Sequence, residues 1–294
     1  MDVPPVEVEG CPDVYLVDHL LDGIEGRMAT YLLDAERPAL LDAGPANTVD
    51  RLLDAIDAVG IDPAEVAYIL VSHLHLDHAG GAAVLADHCP DATVVVHERG
   101  HRYLTEPESL ARLVESVEAA VGEEKPFGDP DPVAPERCRT VAGGERLDLG
   151  DRTLALYDAP GHAPHHYTAL EPDSGTLFAA DAVGAYYEDR VMPTTPPPSF
   201  DLEDCLETID RMQDLEPDRI LFSHFGPGGD AAEDLERAER ILPEWVEAVR
   251  EAHEATGGDL EAMVARLSPE WATPTLPRDL VGVLDSLGYS VSRS

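Results

Sequence analysis

Residues 73 to 78 read His73-Leu74-His75-Leu76-Asp77-His78, three imidazoles and a carboxylate within six positions. That donor set suits zinc, and also iron or manganese, at roughly 2.0–2.2 Å. In an extended or turning segment, residues two apart project to the same side, so His73 and His75 can share one cation. Asp77 and His78, a turn further on, reach a second cation beside it. Histidines this closely spaced are poorly explained as packing residues. Two cations need more ligands than this segment holds, and three further positions stand at the ends of strand-like runs. His162 follows residues 153–157 in Ala159-Pro160-Gly161-His162, Asp181 follows the apolar run 177–180, and His224 follows Ile220-Leu221-Phe222-Ser223. Singly each is an ordinary loop residue; in this order after the cluster they are candidate ligands.

The elements that must position these residues are legible as alternating patterns. Strand-like runs cover 14–17, 28–33 and 39–42, the last closed by Ala43-Gly44-Pro45. Asn47 or Thr48 is the expected N-cap of a helix with Leu52, Leu53, Ile56 and Val59 on its apolar face, ended by Gly60. A buried strand, 66–72, delivers the histidine cluster to its C-terminal edge, where open α/β sheets commonly place ligands. A helix opened by Gly80-Gly81 (79–87), a strand (93–97) and a helix (105–121) follow. Residues 122–137 and 181–199 are rich in proline and are expected to be loops. Between them lie strands at 145–147, 153–157, 167–170 and 176–180. A helix (202–213) and a strand (219–223) close this part. From 231 the pattern is helical, over 231–253 with an interruption expected at Pro243, then 259–267 and 277–287. A boundary near residue 230 separates an α/β body, 1–230, from a helical region, 231–294. That region is expected to pack on the body, with a pocket wall or a homodimer contact as alternatives.

With Ser72-His73-Leu74-His75-Leu76-Asp77-His78-Ala79-Gly80-Gly81, Pro160-Gly161-His162, Ala180-Asp181 and Ser223-His224, the chain resembles the metallo-β-lactamase-fold hydrolases over about residues 12–230. The resemblance implies an α/β fold, a four-layer αβ/βα sandwich. It implies His73, His75 and His162 as ligands of one metal, Asp77, His78 and His224 as those of a second, and Asp181 as the bridging carboxylate. It implies a carboxylate at Asp42 that orients a ligand histidine, against which stands simple turn capping. His166 matches the second histidine of a Gly-His-x-Pro-x-His pattern; a role behind the ligands and a solvent-facing side chain are both open. His165, His97, His101, His19, His88 and His253 are read as structural or surface residues, Ser223 as a strand-end residue, and Tyr186 and Tyr187 as loop-filling aromatics or substrate contacts.

The chemistry expected is hydrolysis of an ester, thioester or lactone of a small molecule by a hydroxide between two divalent cations, zinc first, with Asp77 as the catalytic proton acceptor. An iron-dependent oxygenase of sulfur compounds and a phosphodiesterase on the same fold are the alternatives.

Composition narrows the partners. The 294 residues carry 59 acidic and 20 basic side chains, a formal charge of −39, and Lys125 is the lone lysine. So acidic a surface repels itself in dilute buffer and is screened in molar salt, as in proteins of salt-accumulating halophiles. No basic stripe is present to neutralise phosphates, so nucleic acid is not an expected partner. Cys11, Cys89, Cys138 and Cys205 lie far apart and are expected to be free thiols. No signal-like N-terminus or membrane-length apolar run stands out, so a cytoplasmic location away from membranes is expected.

Overall fold

A computed structural model describes residues 3–289. Two sheets face each other. The first runs in chain order, β1 (Val6–Glu7), β2 (Val14–Asp18), β3 (Ala29–Leu33), β4 (Ala39–Leu41), β5 (Tyr68–Val71), β6 (Thr93–His97) and β7 (Cys138–Val141). Its β1–β4 pairings are antiparallel and its β4–β7 pairings parallel. Parallel pairs need crossovers. These are α1 (Asp50–Val59), then α2 (Leu76–Ala79) with α3 (Ala82–His88), then α4 (His101–Thr105) with α5 (Pro107–Val121). The second sheet contains β8 (Arg146–Asp148), β9 (Thr153–Asp158), β10 (Tyr167–Glu171), β11 (Thr176–Ala180), β14 (Arg219–Phe222) and β15 (Gly226–Pro227), in spatial order β15-β14-β11-β10-β9-β8. Between β11 and its parallel neighbour β14 come a hairpin, β12 (Ala185–Tyr187) and β13 (Arg190–Met192), and the crossover helix α6 (Leu202–Asp214).

Alternation along the strands builds the layers. Leu40, Ile69, Val94 and Val96 pack with Leu52 and Ile56 of α1 and Leu85 of α3. The intervening Leu41, Leu70 and Val95 meet Leu154, Leu156, Ala169 and Phe178 of the opposite sheet. With both faces covered, these strands read as unbroken apolar runs such as Val94-Val95-Val96. The outer face of the second sheet, with Leu170, Leu177 and Phe222, packs on α6 and on α7 (Ala231–Thr256), α8 (Leu260–Trp271) and α9 (Leu276–Ser286). The result is the four-layer αβ/βα sandwich with C-terminal helices. Among the described residues no helix is long and apolar enough to cross a membrane.

Four local expectations are corrected. Neither Asn47 nor Thr48 caps α1: a 3-10 turn occupies Ala46–Thr48, and Val49 stands in the cap position without a side-chain bond. The Thr48 hydroxyl is engaged instead by the buried His19 Nδ1, at 2.9 Å. Pro243 does not interrupt its helix, since α7 runs through it. Burial of Leu242, Trp245, Val246 and Val249, at about 1.5–3 kcal/mol each, outweighs the roughly 3 kcal/mol cost of an internal proline. The stretch 181–199 is not all loop. Its hairpin turns on Glu188 and Asp189, both with positive φ, where glycine or asparagine would have signalled a turn. The helix opened by the glycines is split, with Gly80-Gly81 between α2 and α3. A Cβ on Gly81 would stand 2.4 Å from the Ala43 carbonyl oxygen, so only glycine lets α3 start against the loop after β4.

Candidate metal centre

All seven ligand candidates meet at one end of the sandwich. β5 ends at Val71; His73 and His75 follow in the connecting turn, and the single turn of α2 carries Asp77 and His78. His162, Asp181 and His224 follow β9, β11 and β14. At Gly161, φ is +123° and a Cβ would lie 2.4 Å from the Cys205 amide, so glycine seats the His162 loop against α6. Six of the seven are buried, His224 being the most open of them at 5% exposure, and His75 is half-buried.

The side chains form two groups. In one, His73 Nε2 lies 2.9 Å from His75 Nδ1, which lies 3.0 Å from His162 Nε2; Asp181 Oδ2 is 3.3 Å from His162 Nε2. In the other, His78 Nε2 is 3.2 Å from His224 Nε2, and Asp77 Oδ2 is 3.6 Å from His224 Nε2. Asp181 Oδ1 faces this second group, 3.5 Å from His78 Nε2 and 3.8 Å from His224 Nε2. Donors placed 2.0–2.1 Å from a tetrahedral zinc stand about 3.3 Å apart, so these separations fit a cation in each group. Asp181 Oδ1 is buried without a hydrogen-bond partner among the described residues, a costly state that a cation would relieve.

The other ring nitrogens are held. His162 Nδ1 donates to the Thr194 carbonyl at 3.1 Å and His224 Nδ1 to the Arg27 carbonyl at 2.6 Å, so each Nε2 presents a lone pair to the centre. His73 Nδ1 meets Ser72 Oγ at 3.0 Å. Asp42 resolves between its two readings. Its Oδ2 lies 2.8 Å from His78 Nδ1 and accepts from Ser223 Oγ at 3.1 Å, while Oδ1 accepts from the Ser72 amide at 2.9 Å. It therefore ties the ends of β4, β5 and β14 and aims His78, in a left-handed conformation (φ 72°) that aspartate tolerates. Ser223 is more than a strand end, because its hydroxyl is part of this tie.

Burial, reinforced by the neighbouring imidazoles, holds His73 and His75 well below the usual imidazole range, which leaves them neutral. Burial also lowers His162, against the pull of Asp181. At His78 burial opposes the charge, but Asp181 and Asp42 outweigh it and raise the ring to about 9. Burial alone would raise Asp77, yet His78, Arg278 and His224 together bring it below the ordinary carboxylate range.

Other residues sort out around the centre. His166 is fully buried, stacks on His73 at 4.8 Å and accepts from the Asp181 amide at 3.3 Å, so of its two readings the solvent-facing one fails. Tyr186 stacks on Phe222, whereas Tyr187 lines a cavity of about 260 Å³ with Asp77, His224, Phe127 and Arg278. A second cavity, of about 600 Å³, opens beside His75 and is lined by Arg99, Arg102, Tyr103, Arg112 and His165. Arg278 and the Thr194 carbonyl escape sequence reasoning. Neither lies in a motif, and a backbone carbonyl carries no residue-type signal.

Fold and site together define an αβ/βα sandwich with paired histidine–carboxylate groups able to hold metal at its strand ends. Residues 25–224 match the family model of the metallo-β-lactamase superfamily, and the chain belongs to that superfamily. A metallo-β-lactamase fold-containing protein of Sulfurisphaera tokodaii is 34% identical over 207 residues, covering 67% of this chain and 72% of that protein. An N-acyl homoserine lactonase of Bacillus thuringiensis subsp. kurstaki is 25% identical over 205 residues, 67% of this chain and 68% of the lactonase. A metallo-β-lactamase family protein of Thermus thermophilus shares the fold with a TM-score of 0.66 at 23% identity, over 94% of this chain and 93% of that one.

Proposed function

We propose that the chain is a hydrolase of small-molecule esters, thioesters or lactones that works with two divalent cations, zinc first and iron or manganese as alternatives. His73, His75 and His162 would hold one, Asp77, His78 and His224 the other, and Asp181 would join them. The observation that carries this reading is Asp181, with one oxygen toward each histidine group and Oδ1 otherwise unpartnered. Such cations, when bound, would supply Lewis-acid chemistry, making a water acidic near neutral pH and a substrate carbonyl more electrophilic.

The chain's own residues do the rest. Asp77, ionised and in the cavity wall, takes the proton of the attacking water at its carboxylate and returns it to the leaving group. The bonds from Asp42, Thr194 and Arg27 keep three imidazoles aimed while charge shifts at the centre. Burial holds the Tyr187 phenol protonated, and its hydroxyl donates to the Arg27 carbonyl at 3.3 Å, the same carbonyl that orients His224, so Tyr187 shapes the cavity wall and steadies that support. The lactonase activity named for the Bacillus relative is a hydrolysis of this kind and supports the reading.

The test is metal analysis of protein purified without added metal, then a hydrolysis screen in molar salt with thioesters, lactones, phosphodiesters and β-lactams. Close to two zinc per chain with turnover of an ester, thioester or lactone is expected. Iron together with dioxygen uptake overturns hydrolysis in favour of oxygenation, and turnover confined to phosphodiesters overturns the substrate class.

A further inference from the structure

We propose that Arg278 receives an anionic group of the substrate, so that the ester, thioester or lactone cleaved carries a carboxylate away from its scissile bond. The inference rests on the hydrolase reading and adds the charge of the substrate to it. Arg278 stands near the start of α9, where two adjoining cavities meet. One, of about 260 Å³, is shared with Asp77, Tyr187 and His224; the other, of about 40 Å³, is shared with His75 and Asp77.

Its side chain is half-buried, its Nε is buried without a hydrogen-bond partner, and among the described residues its guanidinium makes no ion pair. In a chain with 59 acids to 20 bases, a half-buried arginine without a carboxylate partner stands out. Arg27, in the same cavity wall, is paired with Asp22 at 2.6 Å. The half-buried Arg137 and Arg237 donate to backbone carbonyls. Arg139, Arg146 and Arg266, also without ion pairs among the described residues, are exposed to water. The two carboxylates that feel Arg278 are engaged elsewhere. Asp279 accepts from the Thr195 amide and the Thr275 hydroxyl, and Asp77 faces His224.

A partly desolvated guanidinium with a buried, unpartnered Nε is costly until an anion reaches it, and a carboxylate matches its planar fork. With Asp77 close by and a net charge of −39, a monoanion is favoured over the dianion of a phosphate ester. Arg278 lies outside the matched stretch 25–224, so charge selection resides in a part of the chain that the family model does not describe.

The test uses the full-length, metal-loaded protein at fixed salt and has two readouts. Calorimetry compares the binding of glutarate, its monomethyl ester and inorganic phosphate to wild type, Arg278→Gln and Arg278→Lys. Kinetics compare kcat/KM for mono-4-nitrophenyl glutarate with that for the uncharged 4-nitrophenyl pentanoate. Wild type is expected to favour the extra carboxylate by about tenfold or more in both readouts, Arg278→Gln to reduce both preferences to about twofold, and Arg278→Lys to keep part of them. An undiminished preference in Arg278→Gln, or no preference in wild type, overturns the proposal. So does tighter binding of phosphate than of glutarate, or loss of metal from Arg278→Gln, which would make Arg278 a support for Asp77. Arg278-dependent glutarate binding without ester turnover leaves Arg278 standing and sinks the hydrolase reading. Turnover indifferent to charge sinks Arg278 alone.

Discussion

In the first half of the chain one strand, β5, leads into four of the seven ligand candidates within six residues, whereas in the second half β9, β11 and β14 contribute one each. The first arrangement depends on a short connection and one helical turn, and it is clamped locally by Ser72 and Asp42. The second depends on the pairing of three strands and on remote support. His162 hangs on the Thr194 carbonyl, and the adjacent Thr195 is held by Asp279 of α9 and by the Trp245 indole of α7. The C-terminal helices therefore brace the half of the site that local geometry leaves loose. Asp181 is where the two deliveries meet.

The comparison breaks most readily at that meeting point. Asp181→Ala should lower turnover on the order of a thousandfold or more and release at least one metal per chain, as read by metal analysis of the purified variant. Full activity would show that the two groups do not depend on a shared carboxylate.

The remote support is probed through Asp279. Burial, against the pull of Arg278 and two hydrogen bonds, raises its carboxyl to about 6 from an ordinary value of 3.8. A raised carboxylate means that the folded chain holds the proton more tightly. Its contribution to stability is thus full below about pH 4, is lost as pH rises to about 6, and is level above. Denaturant titrations should show the stability of Asp279→Asn rising relative to wild type by about 3 kcal/mol between pH 4 and 7. A pH-independent difference would show that Asp279 does not bear this burden.

The local clamps differ in kind, which sharpens the comparison further. Asp42→Ala removes a carboxylate from the buried His78 and should weaken metal affinity about 10- to 100-fold in chelator competition. Ser72→Ala removes a neutral hydroxyl from His73 and should cost only a fewfold. Equal losses would mean that the charge of Asp42 is immaterial and that its tie between strand ends is what counts.

Much of this site is legible without coordinates. The histidine cluster is contiguous, and its apolar strand is unmistakable because both faces of β5 are covered. His162, Asp181 and His224 stand out through their place after strand-like runs and through a family resemblance. The hairpin at 185–192 is not legible, since Glu188 and Asp189 turn without the usual residues, and neither is the continuity of α7 through Pro243, which burial enforces. Tyr187 is distinguished from Tyr186 only by which face of the hairpin meets the cavity.

By itself the sequence determined which residues are candidate metal ligands and the order in which strands present them, because donor chemistry and apolar periodicity are local properties. The tertiary structure alone decided that Asp181 splits its oxygens between two groups, that Asp42 joins three strand ends, and that Arg278 reaches the cavity from a helix that follows the matched stretch. Those relations are distances between residues far apart in the chain. They are set by sheet pairing and packing, and no spacing along the chain encodes them directly.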